Sequence, residues 1–165
     1  MRIAVVDSTP LIGLVHLGLA LELSLFFDRV FVPSAVQKEV NRKGRFRYRL
    51  GRLYETGIFV RCAAANESNV SYLRAELHPG EAEAIVQAQE KDAAYFIGDD
   101  KRAREVASKY GGRTAVGTVR ILARLNLEGK APDVRLLVRK LRRDLRFRVS
   151  EEVLEQAIAD AEQPI

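Results

Sequence analysis

The 165-residue sequence predicts an α/β protein, a three-layer α/β/α sandwich around a mostly parallel central sheet. Three observations predict it. Short β-branched runs alternate with helical stretches along the whole chain, the pattern of parallel strands joined by crossover helices. The first run, Arg2–Val6, is almost wholly apolar, as a strand covered on both faces must be. Hydrophobic residues make up 47% and charged residues 30% of the chain, enough for one packed core. That length fits a single domain, 1–165, in which 131–165 forms a C-terminal helical extension.

The elements follow in order. Arg2–Val6 is a strand ended by Asp7, and Pro10 opens a helical stretch that continues through Leu17–Phe26. Asp28-Arg29 is a turn, Val30–Val32 a strand stopped by Pro33, and Ser34 caps a helix to Asn41. Arg45–Glu55 is helical, Ile58–Arg61 strand-like, and Asn66–Glu76 a loop with a short helix. His78-Pro79-Gly80 introduces a helix from Glu81 to Lys91, because proline suits a first turn. Ala94–Ile97 is a strand, and Asp99 or Asp100 caps a helix that ends at Gly111-Gly112. Thr114–Val116 is the last strand, and Thr118 caps the helix after it. Pro132-Asp133 starts a helix to about Asp144, and Ser150 caps the final one.

Composition removes several function classes. The single cysteine, Cys62, excludes an internal disulfide framework and a cysteine-based zinc cluster. His16 and His78 stand at unrelated spacings, which excludes a histidine-rich metal site, and both read as ordinary core, boundary or loop residues. The longest apolar stretch, Pro10 to Leu25, is interrupted by His16 and Glu22 and falls short of the ~18 clean residues of a membrane span. It also lacks the flanks of a signal peptide, so a cytoplasmic protein that does not enter a membrane is expected. Neither a P-loop nor a dinucleotide-binding glycine motif occurs. A receiver domain or phosphatase would need a second acid close to its nucleophilic aspartate, whereas Asp7 is followed by Ser-Thr-Pro.

The net charge of +5 is unevenly spread. Between positions 101 and 148 there are 15 Lys and Arg against 4 Asp and Glu, while 149–165 holds 5 acids and no base. Arg42 to Arg52 holds six bases and no acid, with Phe46 and Tyr48 among them. Segregated positive charge suits a polyanionic partner. Bases at alternate positions with aromatics between them suit phosphate contacts and base stacking. The acidic tail, Glu151–Glu162, has basic helices to pack against, in its own chain or another.

Acids collect where an open parallel sheet binds its ligands, beyond the carboxyl ends of the strands. Asp7 ends the first strand, and Asp99 and Asp100 follow the Ala94–Ile97 strand. At 100° per residue, Glu81 shares a face with Ala84, Ile85 and Ala88 and points inward, whereas Glu83, with Gln87 and Glu90, reads as a surface acid. Glu39 falls between Ala35 and Val36 at the edge of the buried side of its helix, and Lys38 points away. Taken singly, each acid has an ordinary structural reading: a helix cap, a first-turn acid, a mid-helix surface residue. Together they imply more, because two carboxylates ~5 Å apart repel by roughly 3 kcal/mol at an effective dielectric of 20. Such a cluster needs raised pKa values or cations, and an oxygen-only donor set selects hard ions, Mg²⁺ or Mn²⁺. Hard ions beside a basic surface suit phosphodiester cleavage, since they acidify water, hold the scissile phosphate and neutralise the leaving oxygen.

Four stretches carry a resemblance: Val5–Leu14 (VVDSTPLIGL), Val32–Val40 (VPSAVQKEV), Leu77–Ala88 (LHPGEAEAIVQA) and Ile97–Gly111 (IGDDKRAREVASKYG). With Val116–Lys130 and Arg146–Ile158, they make the chain similar over its full length to PIN-domain proteins, ribonucleases that include the VapC-type toxins. The resemblance places the first acid of that family on Asp7, the second on Glu39, the third on Glu81 (usually Asp) and the fourth on Asp100, with Asp99 its neighbour and possible substitute. Gly98 stands where the family carries Thr, and Ser8 and Thr9 follow the first acid. It implies Mg²⁺ or Mn²⁺ dependence, frequent homodimers and often a small antitoxin partner.

The expected function is thus a metal-dependent endoribonuclease, possibly the toxin of a toxin–antitoxin pair. Asp7, Glu39, Glu81 and Asp100 are its expected catalytic residues, and the same four with Asp99 its metal ligands. RNA contacts are expected from Ser8, Thr9, Arg42, Lys43, Arg45, Arg47, Arg49, Lys101, Arg102 and Arg104. The alternative is a non-catalytic PIN fold that binds nucleic acid or a protein partner.

Overall fold

The computed structural model describes residues 1–110 and 112–165, with Gly111 placed only as the last residue of a helix. Its centre is a five-stranded sheet in the order β3-β2-β1-β4-β5, comprising β1 (Ile3–Val6), β2 (Arg29–Pro33), β3 (Phe59–Cys62), β4 (Tyr95–Ile97) and β5 (Thr114–Val116). Every pairing is parallel, and β1 lies in the middle, with Val5 opposite both Phe31 and Phe96. The chain builds outward from β1 to β3, then returns to lay β4 on the other side of β1. This reversal is the switch point at which open α/β sheets leave a crevice beyond their strand ends.

Alternation along the strands divides the apolar residues into two layers. Ala4, Val6, Val30, Val32 and Ile97 face one core, while Val5 and Phe96 face the other. The first core is covered by α1 (Ser8–Leu17), α2 (Ser34–Arg42), α3 (Arg47–Glu55), α7 (Thr118–Leu127), α8 (Val134–Leu145) and α9 (Glu151–Ala159). The second is covered by α4 (Glu67–Leu73), α5 (Pro79–Glu90) and α6 (Lys101–Gly111). The expected three-layer fold is therefore present, with a wholly parallel sheet.

Two helical stretches are shorter than the sequence pattern suggests. The segment beginning at Pro10 breaks at Gly18, whose φ of 74° ends α1, and continues as a 3₁₀ turn over Ala20–Leu25. Likewise Gly44–Phe46 is a 3₁₀ turn, and α3 begins only at Arg47. Asp133 and Ser150 cap α8 and α9 through the amides of Arg135, Leu136 and Val153. The acidic tail packs on its own chain, where Arg135 pairs with Glu155 and Arg142 with Glu151. His16 is a boundary residue, its Nε2 2.8 Å from Asp144 Oδ2. No described helix is long and apolar enough to cross a membrane.

Candidate active site

A cleft of about 950 Å³ opens beyond the carboxyl ends of β1 and β2. Asp7, Glu39 and Glu81 line it, delivered by the end of β1, by α2 and by the first turn of α5. Asp7 occupies the N-cap position of α1, yet its side chain makes no cap hydrogen bond, and Oδ1 is buried without a partner among the described residues. A carboxylate only 4% exposed is costly to ionise. Burial pushes the Asp7 pKa up to about 7; the Ser8 amide opposes that rise, and the carboxylates of Glu81, Glu39 and Asp99 add to it. Glu81, 7% exposed, accepts the His78 amide at 3.0 Å through Oε2. Its pKa is also raised, first by burial and further by Asp100 and Glu39.

Gly80 keeps this space open. A Cβ there would lie 3.3 Å from Asp7 Oδ1 and 3.8 Å from Glu39 Oε2, so the missing side chain leaves a hollow between two carboxylates. The donors fit a hard divalent ion: they are oxygens only, one buried oxygen has no partner, and glycine leaves room beside it. Among the described residues, no three His, Cys, Asp or Glu side chains already converge as a ligand group.

The acids after β4 are placed differently. Asp99 turns onto the start of α7, where its Oδ1 accepts the Thr118 amide at 2.7 Å and its Oδ2 the Thr118 hydroxyl at 2.6 Å. Its pKa is raised by burial, against the lowering effect of Thr118 and Arg104. Asp100 caps α6 by accepting the Ala103 amide at 2.9 Å through Oδ1. Neither lines the cleft, although both act on it electrostatically, Asp99 through Asp7 and Asp100 through Glu81. Gly98 has a steric cause, because a Cβ there would lie 2.4 Å from Cε1 of the fully buried Phe96 ring.

The expected nucleic-acid contacts separate into two groups. Thr9 and Arg42 are exposed and line the cleft, whereas Ser8 lines it but is buried. Lys43 and Arg45 are exposed at the turn after α2, and Arg47 lies on a neighbouring groove. Arg49 donates to the Val15 carbonyl at 3.3 Å, away from the cleft. Alternate bases form no continuous row because α3 is a helix, which turns residues two apart to opposite sides. Phe46 is 1% exposed, so of the two aromatics only Tyr48, 77% exposed, is free to stack on a base. On α6, Lys101 is exposed, Arg102 pairs with Glu76 and Glu105, and Arg104 donates to the Asp99 carbonyl at 2.6 Å.

Four side chains correct the sequence reading. Lys38 does not point away: with Ala35, Glu39 and Arg42 it forms the α2 face that lines the cleft. Glu83 is not a surface acid, since it accepts the amides of Ser34 (3.1 Å) and Ala35 (2.7 Å) and so caps α2 from across the fold. The signal was Pro33 at the N-cap position, which has no side chain able to cap. Gln87 is fully buried on the α5 face that the wheel assigned to solvent, where Glu83 and Glu90 on either side of it accept amides from the start of α2 and from the loop before α4. Thr118, expected as a cap, is the first residue of α7 and is itself held by Asp99. Cys62 is half-buried, its pKa pushed up to about 12 by burial, which leaves the thiol unreactive.

A family model described as a PIN domain matches residues 3–163. Comparison with curated proteins and with solved structures gives no match.

Proposed function

Because the chain belongs to the PIN-domain family, which has a nuclease-type fold, we propose that it is a divalent-metal-dependent endoribonuclease. The observation that carries this reading is Asp7, a buried carboxylate with an unpartnered oxygen aimed at a glycine hollow shared with Glu39. Asp7, Glu39 and Glu81 would hold the ion, and Asp100, which caps α6 through Oδ1 and acts electrostatically on Glu81, would be the fourth acid. Asp99 acts through position: by gripping Thr118 it fixes the loop that carries Asp100.

When bound, Mg²⁺ or Mn²⁺ supplies Lewis-acid stabilisation of charge building on the phosphate oxygens and eases deprotonation of an attacking water. The residues of the chain do the rest. Burial raises the pKa of Asp7 to about 7 and also raises that of Glu81, and bound positive charge would favour the ionised form of both. Lys38, Arg42 and Arg74 on the cleft rim hold backbone phosphates and orient the strand across the acids. The test is cleavage of single-stranded RNA with Mg²⁺ or Mn²⁺. Asp7→Asn is expected to lose activity at least 100-fold with the fold intact, and an Asp7→Asn enzyme as active as its parent would end the reading.

One observation favours a second reading, a PIN fold that binds nucleic acid without cutting it: among the described residues, no three ligand-type side chains already converge. Calorimetry separates the two. Metal uptake lost in Asp7→Asn belongs to the nuclease, and salt-sensitive RNA binding without metal uptake belongs to the binding module. A toxin role and an antitoxin partner are the finer form of the first reading, tested by growth arrest on expression and rescue by a co-encoded partner.

A further inference from the structure

A second depression lies across α2 from the acidic cleft, with a volume of about 540 Å³. That is within the ~300–1,000 Å³ range of small-ligand sites. Gln37 and Asn41 reach it from α2, Arg47 and Tyr48 from α3, and Tyr54 and Arg61 complete it. The helix α2 is the partition. Its Ala35, Lys38, Glu39 and Arg42 face the cleft, its Val36 and Val40 face the core, and its Gln37 and Asn41 face this groove. A helix with side chains is about 10–12 Å across, so a strand crossing α2 spans both depressions within a few nucleotides.

The chemistry of the groove is that of base recognition. Tyr48 keeps 77% of its surface in water, although large aromatics usually bury most of theirs. The amides of Gln37 and Asn41 each offer a donor and an acceptor, the pairing a base edge requires. Tyr54 forms a wall of the groove, with its hydroxyl buried beside Arg61. The Arg61 guanidinium lies 4.1 Å from the Tyr54 ring centre and fixes the ring in place. Gly44 and Gly51 leave the mouth open, since a Cβ on either would meet nothing within 4 Å.

We propose that this groove is a nucleobase pocket on the path of single-stranded RNA into the acidic cleft. One unpaired base stacks on Tyr48, its edge meets the amides of Gln37 and Asn41, and Arg47 holds the adjoining phosphate. The proposal takes RNA as the ligand from the nuclease reading, but its test does not use cleavage. The probes are a labelled single-stranded RNA oligomer and the same oligomer with abasic riboses, titrated by fluorescence anisotropy in EDTA. Tyr48→Ala is expected to weaken binding of the base-bearing oligomer roughly ten-fold and to leave the abasic one unchanged. Tyr48→Phe is expected to restore the affinity, and Asn41→Ala to alter the preference among homopolymers. Equal losses on both oligomers would mean phosphate contact alone and overturn the pocket, as would unchanged affinity or no RNA binding by the parent. If Asp7→Asn keeps full cleavage while Tyr48→Ala shows the base-dependent loss, the nuclease assignment of the acids falls and the pocket stands.

Discussion

Asp7 and Asp99 stand at the carboxyl ends of adjacent parallel strands, where Val6 is in register with Ile97, and the fold uses them in opposite ways. Both oxygens of Asp99 are engaged, by the amide and hydroxyl of Thr118. Asp7 sits one strand away at the cap position of α1, declines to cap, and keeps Oδ1 unpartnered in a buried hollow. A carboxylate with all its bonds made is a structural part. One that is buried without them raises the free energy of the apo protein, and a cation that binds there recovers it. The same contrast separates the bases, because Lys38 and Arg42 beside the cleft on α2 are open to solvent while Arg102 and Arg104 on α6 are spent on Glu76, Glu105 and the Asp99 carbonyl.

The largest effect expected from this contrast is in stability. Asp7 has its folded pKa raised from 3.8 to about 7, so above pH 4 the folded state holds a proton that the unfolded state has lost. Stability therefore falls as pH climbs from about 4 to about 7 and levels off above. Asp7→Asn removes that penalty. In EDTA, the variant is expected to be more stable than its parent by up to about 4 kcal/mol at pH 8 and by almost nothing at pH 4. Thermal unfolding at the two pH values measures it. Equal stabilities at pH 8 would mean that Asp7 is satisfied after all and no different from Asp99.

Asp99→Ala is expected to act in the reverse direction. It strips the amide and hydroxyl of a fully buried Thr118 of their acceptor, at a cost of about 1–3 kcal/mol. Activity should fall only as far as the loop carrying Asp100 loosens, and Asp99→Asn, which keeps an acceptor, should retain most of both. Loss of cleavage in Asp99→Asn with an unchanged Tm would move Asp99 from helix cap to metal ligand and break the comparison.

How far the sequence discloses this arrangement depends on whether the information is local. Strands and two of the caps are legible, since β-branched runs, Asp133 and Ser150 carry their structure in a few neighbouring residues, whereas Ser34 and Thr118, expected as caps, are the first residues of their helices. Five strands in a mostly parallel sheet, and the position of Asp7 beyond the end of the first one, follow from that alternation together with the rule for strand ends, whereas the central place of β1 does not. What could not be read was pairing across the fold. Glu83 looks like a surface acid on a helical wheel, because nothing near it in sequence says that the N-terminus of α2 will lie against it. Asp99 and Asp100 are equivalent as letters, and only the placement of α7 gives one of them to Thr118. The Arg45–Arg49 alternation suits a row of phosphate contacts on an extended chain, and the helical backbone of α3 scatters it. Phe46 looked available for stacking until the core between α1 and α3 claimed it.

A smaller effect is expected at Gly80, where the hollow itself is at stake. In Gly80→Ala the new methyl would sit 3.3 Å from Asp7 Oδ1 and 3.4 Å from Val36 Cγ2. Both contacts are tight, and the first lies where an ion would be accommodated. The substitution favours the helix, since alanine is preferred to glycine by up to about 1 kcal/mol, so Tm should hardly move. Cleavage and divalent-ion affinity should each drop roughly ten-fold, equivalent to ~1.4 kcal/mol. A fall in Tm with unchanged metal affinity would show that Gly80 serves packing and that the hollow is incidental.

The smallest effect discriminates between the two groups of bases. For single strands, each phosphate contact contributes roughly 0.7 to the slope of log affinity against log salt concentration. Arg42, exposed on the cleft face of α2, should carry one such contact, so Arg42→Ala is expected to flatten the slope by about that amount. Arg102 already has Glu76 and Glu105 beside it, so a phosphate would have to compete with carboxylates whose charge the guanidinium neutralises at no cost in counterion release. Arg102→Ala should therefore leave the slope alone. Matching slopes for the two variants would mean that RNA displaces Glu76 on binding, and that the α6 bases are held in reserve just as Asp7 is.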